Sequence, residues 1–181
     1  IGGPDDLETA WTVRADSVSS SYGSFEPVDG TMTGGLLTTA AGWVAMVQPS
    51  TPEATLASVD PDTGEVRWTQ GMPEGRCTQY EPGVDLVCLT RPRNGTGFQL
   101  VEVDVSTGDI LGDRIDTEVT VVPAMLTVLG DGLLALSMTG ELTAIGPDGV
   151  TRWTEILRLP DLDLSYQEVD IAHYEESVLL Y

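Results

Sequence analysis

The sequence predicts an all-β fold of the propeller class, built from four-stranded antiparallel blades. Three observations predict it. Glycine-marked segments recur at intervals of 44 and 41 residues, from Gly64 to Gly108 to Gly149. A tryptophan stands four residues after the first and third of these glycines, as Trp68 and Trp153. Short apolar runs alternate with glycine, proline and aspartate turn signals throughout, and a period of this length is that of one blade.

The third repeat is the clearest. A first strand over 123–128 leads through Gly130-Asp131-Gly132 to a second over 133–138, and Thr139-Gly140 turns into a third over 141–145. Gly146-Pro147-Asp148-Gly149 then turns into a fourth around Trp153. Each connection carries glycine because tight hairpins need a positive φ. The first two strands are nearly continuous apolar runs, the pattern of strands covered on both faces. The fourth carries charge and one aromatic, which fits an outer edge whose ring docks on the next blade.

The same pattern sets blades at about 28–70, 75–114 and 117–157, with a partial one over 165–181. Residues 8–14, around Trp11, read as the outer strand of a preceding or closing blade. Inner strands are expected to centre on 36–39, 124–128 and 169–172, and His173 to lie in the turn after the last of these. Position 112 in the middle copy is Gly112, so that repeat lacks its tryptophan. Trp11, Trp68 and Trp153 are therefore expected to be blade-docking side chains, while Trp43 falls outside the repeat.

Asp60-Pro61-Asp62-Thr63-Gly64-Glu65-Val66-Arg67-Trp68 closely resembles the signature turn of PQQ-like (quinoprotein alcohol dehydrogenase-like) propeller repeats. Asp104 to Gly108 repeats it, and Asp148-Gly149 ends a shortened copy. The resemblance covers about residues 30–181 and extends to membrane-anchored actinobacterial proteins with PQQ-like repeats. It implies a ring of seven or eight blades, so this chain is expected to be part of one, completed by remaining blades or by another copy. A small closed four-bladed barrel is the alternative.

Composition narrows the function. Net charge is −21, from 29 acidic residues against eight arginines and no lysine. Such a surface repels phosphate backbones and anionic membranes, so nucleic acid is excluded as a partner and direct membrane insertion is not expected. No apolar run reaches the ~18 residues of a transmembrane span. The chain starts at Ile1 without a signal-peptide pattern, and an upstream leader or anchor is expected to have been removed.

Cys77 and Cys88 are the only cysteines. In a hairpin centred on Pro82-Gly83 they fall opposite one another, which favours a cross-strand disulfide; buried free thiols are the alternative. Their spacing is not Cys-x-x-Cys and no further ligands lie near, which argues against a metal or redox pair. A disulfide implies an oxidising, extracytoplasmic compartment.

The remaining candidates for chemistry are thin. Gly130-Asp131-Gly132-Leu133-Leu134-Ala135 matches G-x-G-x-x-A, but a strand follows where a dinucleotide site needs a helix N-terminus. His173 is the lone histidine, with no nucleophile elbow for it to serve. The acidic pairs Asp5/Asp6, Asp60/Asp62, Asp161/Asp163 and Glu175/Glu176 lack calcium-loop spacing, and Asn94-Gly95-Thr96 reads as a loop. The adjacent-cysteine disulfide of PQQ-dependent alcohol dehydrogenases is absent.

The expectation is thus a non-catalytic extracytoplasmic module for protein interaction or scaffolding, with no cofactor, no metal and a partner that the sequence leaves unnamed. A ligand-sensing ectodomain and a fragment of a PQQ-dependent dehydrogenase are the competing readings.

Overall fold

Strand pairing follows the glycine-marked turns. A computed structural model describes residues 12–18, 23–26, 37–39, 41–49, 53–79, 85–157, 171–174 and 177–180. It is all-β, with three successive antiparallel blades; among the described residues the only helix is a single turn, α1 (Ala15–Val18).

Blade I contains β1 (Gly23–Glu26), β2 (Leu37–Thr39), β3 (Gly42–Pro49), β4 (Glu53–Val59) and β5 (Val66–Pro73). Blade II is β6 (Gly75–Gln79), β7 (Leu86–Thr90), β8 (Gln99–Val103) and β9 (Ile110–Asp116). Blade III is β10 (Pro123–Leu129), β11 (Gly132–Ser137), β12 (Glu141–Ile145) and β13 (Thr151–Ile156). Blades II and III are plain up-and-down meanders in sequence order. A hairpin of β14 (Ile171–Tyr174) and β15 (Ser177–Leu180) follows.

Three boundaries differ from the sequence expectation. The first position of blade I is shared by two segments: β2 pairs with Gly42–Val44 of β3, and β1 pairs with Met46–Pro49 along the same strand. No period-two apolar run marks Gly23-Ser24-Phe25-Glu26, so the repeat pattern passes over it. Residues 12–14, at the end of the supposed outer strand 8–14, are not strand but lead into α1, while Trp11 lies outside the described residues. His173 is not in a turn; it stands in β14 opposite Val178. The described part of the 165–181 blade is this hairpin, and position 169 lies outside the description.

The core lies between blades, and side-chain alternation explains why. Successive residues of a strand point to opposite faces. In β7, Leu86 and Cys88 join Val44, Met46 and Leu56 of blade I, whereas Val87 and Leu89 join Leu126, Leu133 and Ala135 of blade III. β7 and β11 are buried at every position, as their apolar runs require. On the inner side, the Arg76 guanidinium donates from Nε to the Ala124 carbonyl at 3.1 Å and from Nη1 to Met46 Sδ at 3.8 Å. One side chain of β6 thereby ties three consecutive blades.

The turns between the third and fourth strands are built alike in blades I and II. Asp60 Oδ1 accepts from the Asp62 and Thr63 amides, and Asp104 Oδ1 accepts from those of Ser106 and Thr107. The Gly64 amide donates to the Asp60 carbonyl at 2.9 Å, and the Gly108 amide to the Asp104 carbonyl at 2.7 Å. The closing glycines have φ of +74° and +79°, a region open to glycine at little cost. Blade III reaches the same end with one residue fewer: Gly149, at φ +80°, donates to the Gly146 carbonyl, and Asp148 Oδ1 accepts from the Val150 amide.

Candidate functional site

The space between blades I and II is closed by Trp68. Its indole is buried, Nε1 donates to the Val105 carbonyl at 2.8 Å, and the ring lies against Gly108. A turn of one blade thus receives the ring of the blade before it. Ser58, directly opposite Trp68 in the ladder, is fully buried beneath this arrangement.

The corresponding space between blades II and III is open. By register, Val103–Ile110 matches Val59–Val66 and Glu102 stands where Ser58 does, but its partner is Leu111 where that of Ser58 is Trp68. Gly112 holds the tryptophan's place only by its distance of four residues from the turn glycine. β9 then bulges: after Glu102 pairs with Leu111, the next pair is Leu100 with Ile115. Gly112 sits in this bulge at φ +60°, with open space where a side chain would be. The contact with the next turn passes to Ile115, whose Cγ2 would be 2.7 Å from a Cβ built on Gly149.

Ile115 is smaller than an indole, and what remains is a groove of about 550 Å³. That is within the roughly 300–1,000 Å³ of ligand clefts. Val87, Leu100 and Val101 line it from β7 and β8, Leu111, Gly112 and Ile115 from β9, and Pro147 from the turn of blade III. Glu102 and Asp113 contribute the carboxylates, both exposed. The sequence signals the missing tryptophan, but not the groove, because the bulge that brings Ile115 into place is not legible from spacing.

The other candidates go elsewhere. Cys77 and Cys88 are directly opposed in β6 and β7 and form a disulfide, both buried on the blade I side. Trp153 of β13 is 41% exposed. The Gly130–Gly132 turn carries Asp131, which accepts two hydrogen bonds from the Arg152 guanidinium at 2.7 and 3.0 Å, and β11 follows it where a nucleotide site would need a helix. Arg67 likewise donates to Asp60 Oδ2 at 2.6 Å and to the Ala41 carbonyl. These ion pairs hold the Asp60 carboxyl down to about 2 and lower that of Asp131. Among the described residues no three His, Cys, Asp or Glu side chains gather as a metal site would require. No described helix is long and apolar enough to cross a membrane. Asp5/Asp6, Asp161/Asp163 and Glu175/Glu176 lie outside the described residues.

No protein-family model matches the sequence, and no curated protein is significantly similar to it. Among solved structures, the chain is similar to the crystal structure of BamB from Moraxella catarrhalis, with a TM-score of 0.41 and 20% identity. The match covers 71% of this chain and 38% of BamB, so the chain spans well under half the length of that protein.

Proposed function

We propose that this chain is a non-catalytic part of a PQQ-like β-propeller that works outside the cytoplasm as a protein-interaction or scaffold module. The observation that carries this reading is the groove between blades II and III, an apolar cleft with an acidic rim, where the boundary between blades I and II is closed by Trp68. Its lining is mainly apolar with two exposed carboxylates at the rim, a composition suited to holding a partner of complementary charge. The buried Cys77–Cys88 bond supports an oxidising compartment. The half-exposed Trp153 ring supports a larger ring, completed by further blades or a second copy, in which the next turn would receive it as Gly108 receives Trp68.

The test has two arms. Crosslinking in the native cell envelope, with the intact parent protein as bait, should return the same protein partner in independent repeats. Titration with PQQ and calcium, read by calorimetry and by dye reduction with alcohols and sugars, should give no turnover. Turnover with tight quinone binding would overturn the proposal in favour of a dehydrogenase fragment.

A further inference from the structure

The groove between blades II and III lies at the boundary equivalent to the one Trp68 closes, with Ile115 in place of an indole against the turn glycine. We infer that it is a docking site for a partner segment that presents an aromatic side chain, best a tryptophan, beside a basic residue. This inference rests on the interaction reading above and gives the partner's chemistry.

The comparison of the two slots supplies the aromatic. In the first, the ring of Trp68 lies on a turn glycine and its N–H reaches the carbonyl of the residue after Asp104. In the second, the matching turn residue is Pro147, which lines the groove. The neighbouring glycine, Gly149, is already covered by Ile115 and the Asp116 backbone. An incoming indole therefore finds apolar side chains in Leu100, Leu111 and Ile115, beside Pro147, which holds the place in its turn that Val105, the acceptor for Trp68, holds in the turn before. Aromatic rings with one polar tip suit such sites, since most of their surface is apolar and their single donor needs one partner.

Charge supplies the second half of the motif. Where blade I has the small, covered Ser58, blade II has Glu102, and Asp113 follows Gly112 in the bulge. Both carboxylates line the groove and both are exposed. They belong to a chain of net charge −21, so an arginine or lysine next to the aromatic is attracted and an acidic neighbour repelled. A purely apolar ligand would leave these carboxylates facing it without compensation.

The experiment uses the whole chain and synthetic peptides of sequence Gly-Arg-Trp-Arg-Gly, capped at both ends, with 5-fluorotryptophan as an NMR reporter. Saturable binding is expected. Replacing the peptide tryptophan by alanine, read by calorimetry, should weaken it about tenfold or more, the loss typical of a hot-spot aromatic. Replacing its arginines by glutamate should abolish it. In the protein, Glu102→Gln with Asp113→Asn should weaken the arginine peptide by about two- to tenfold, as expected for rim charges, with little effect on a Gly-Ala-Trp-Ala-Gly control. Ile115→Glu should block both peptides, with circular dichroism confirming an unchanged fold; should it misfold, the exposed Glu102/Asp113 pair carries the test. Absence of binding, or binding that ignores both sets of groove substitutions, overturns the inference. The two proposals fail separately: envelope crosslinking that persists in the Ile115→Glu protein leaves the interaction role standing while removing the groove from it.

Discussion

Trp68 and Gly108 are a matched pair across a blade boundary: a Cβ placed on the glycine would lie 2.6 Å from Cε3 of the indole. The glycine is therefore required twice, by its φ of +79° and by the ring against it. Gly108→Ala should destabilise by more than the roughly 1–2 kcal/mol of left-handed strain alone. Gly112→Ala, at φ +60° but facing open space, should cost no more than that strain. In a Trp68→Ala background the excess at Gly108 should vanish, because the clash has gone. Urea unfolding of the four variants measures this coupling, and additive effects would contradict the pairing.

The two recurring tryptophans should separate energetically. Trp68 is 8% exposed and its N–H is satisfied by Val105, so Trp68→Ala should cost about 3–5 kcal/mol. Trp153, at 41% exposed, should cost only about 1–2 kcal/mol in this chain, because much of its ring is already in water. Equal losses in thermal melts would mean that Trp153 has a cover of its own.

Cys77 and Cys88 are both fully buried, so their disulfide should resist reductant until the blades separate. Intact mass should rise by two hydrogens on reduction under denaturing conditions and not under native ones. Cys77→Ala with Cys88→Ala should lower stability by about 3 kcal/mol through the entropy of the opened loop. Alkylation of two thiols in the native, unreduced protein would refute the assignment.

Much of this architecture is legible in the sequence because repeats are reinforced by local chemistry. Asp60 and Asp104 each organise the turn that their own sequence spells, and the closing glycine follows four residues later at each. The Cys77–Cys88 register follows from one hairpin turn. What escapes is whatever depends on a neighbouring blade. Nothing local tells Trp153 from Trp68, although one ring is 41% exposed and the other 8%. The replacement of a tryptophan by Ile115, three residues past the expected position, needs the bulge in β9 and has no signature in spacing. Strand β1 is missed for a different reason: it shares the place beside β3 with β2 inside one blade and has no apolar periodicity of its own.

Acid should find a specific weak point in the turn of blade I. Asp60 is held down to about 2 from an ordinary 3.8, first by the hydrogen bond from Arg67 and then by the Asp62 and Thr63 amides. A carboxyl whose folded value is depressed binds its proton more readily in the unfolded chain. Its contribution to stability is therefore complete above about pH 4, declines as pH falls towards 2, and is gone below that. Asp60→Asn keeps the side-chain oxygen that accepts from the two amides but loses the charge facing Arg67. That variant should be less stable than the parent at neutral pH and should converge with it at the acid end, with a flatter profile between. Arg67→Gln removes the largest cause of the shift and should move the Asp60 midpoint upward when its carboxyl carbon is followed by NMR. Denaturant melts at intervals across this range check the first expectation; parallel acid profiles for the parent and Asp60→Asn would show that this ion pair does not couple to folding.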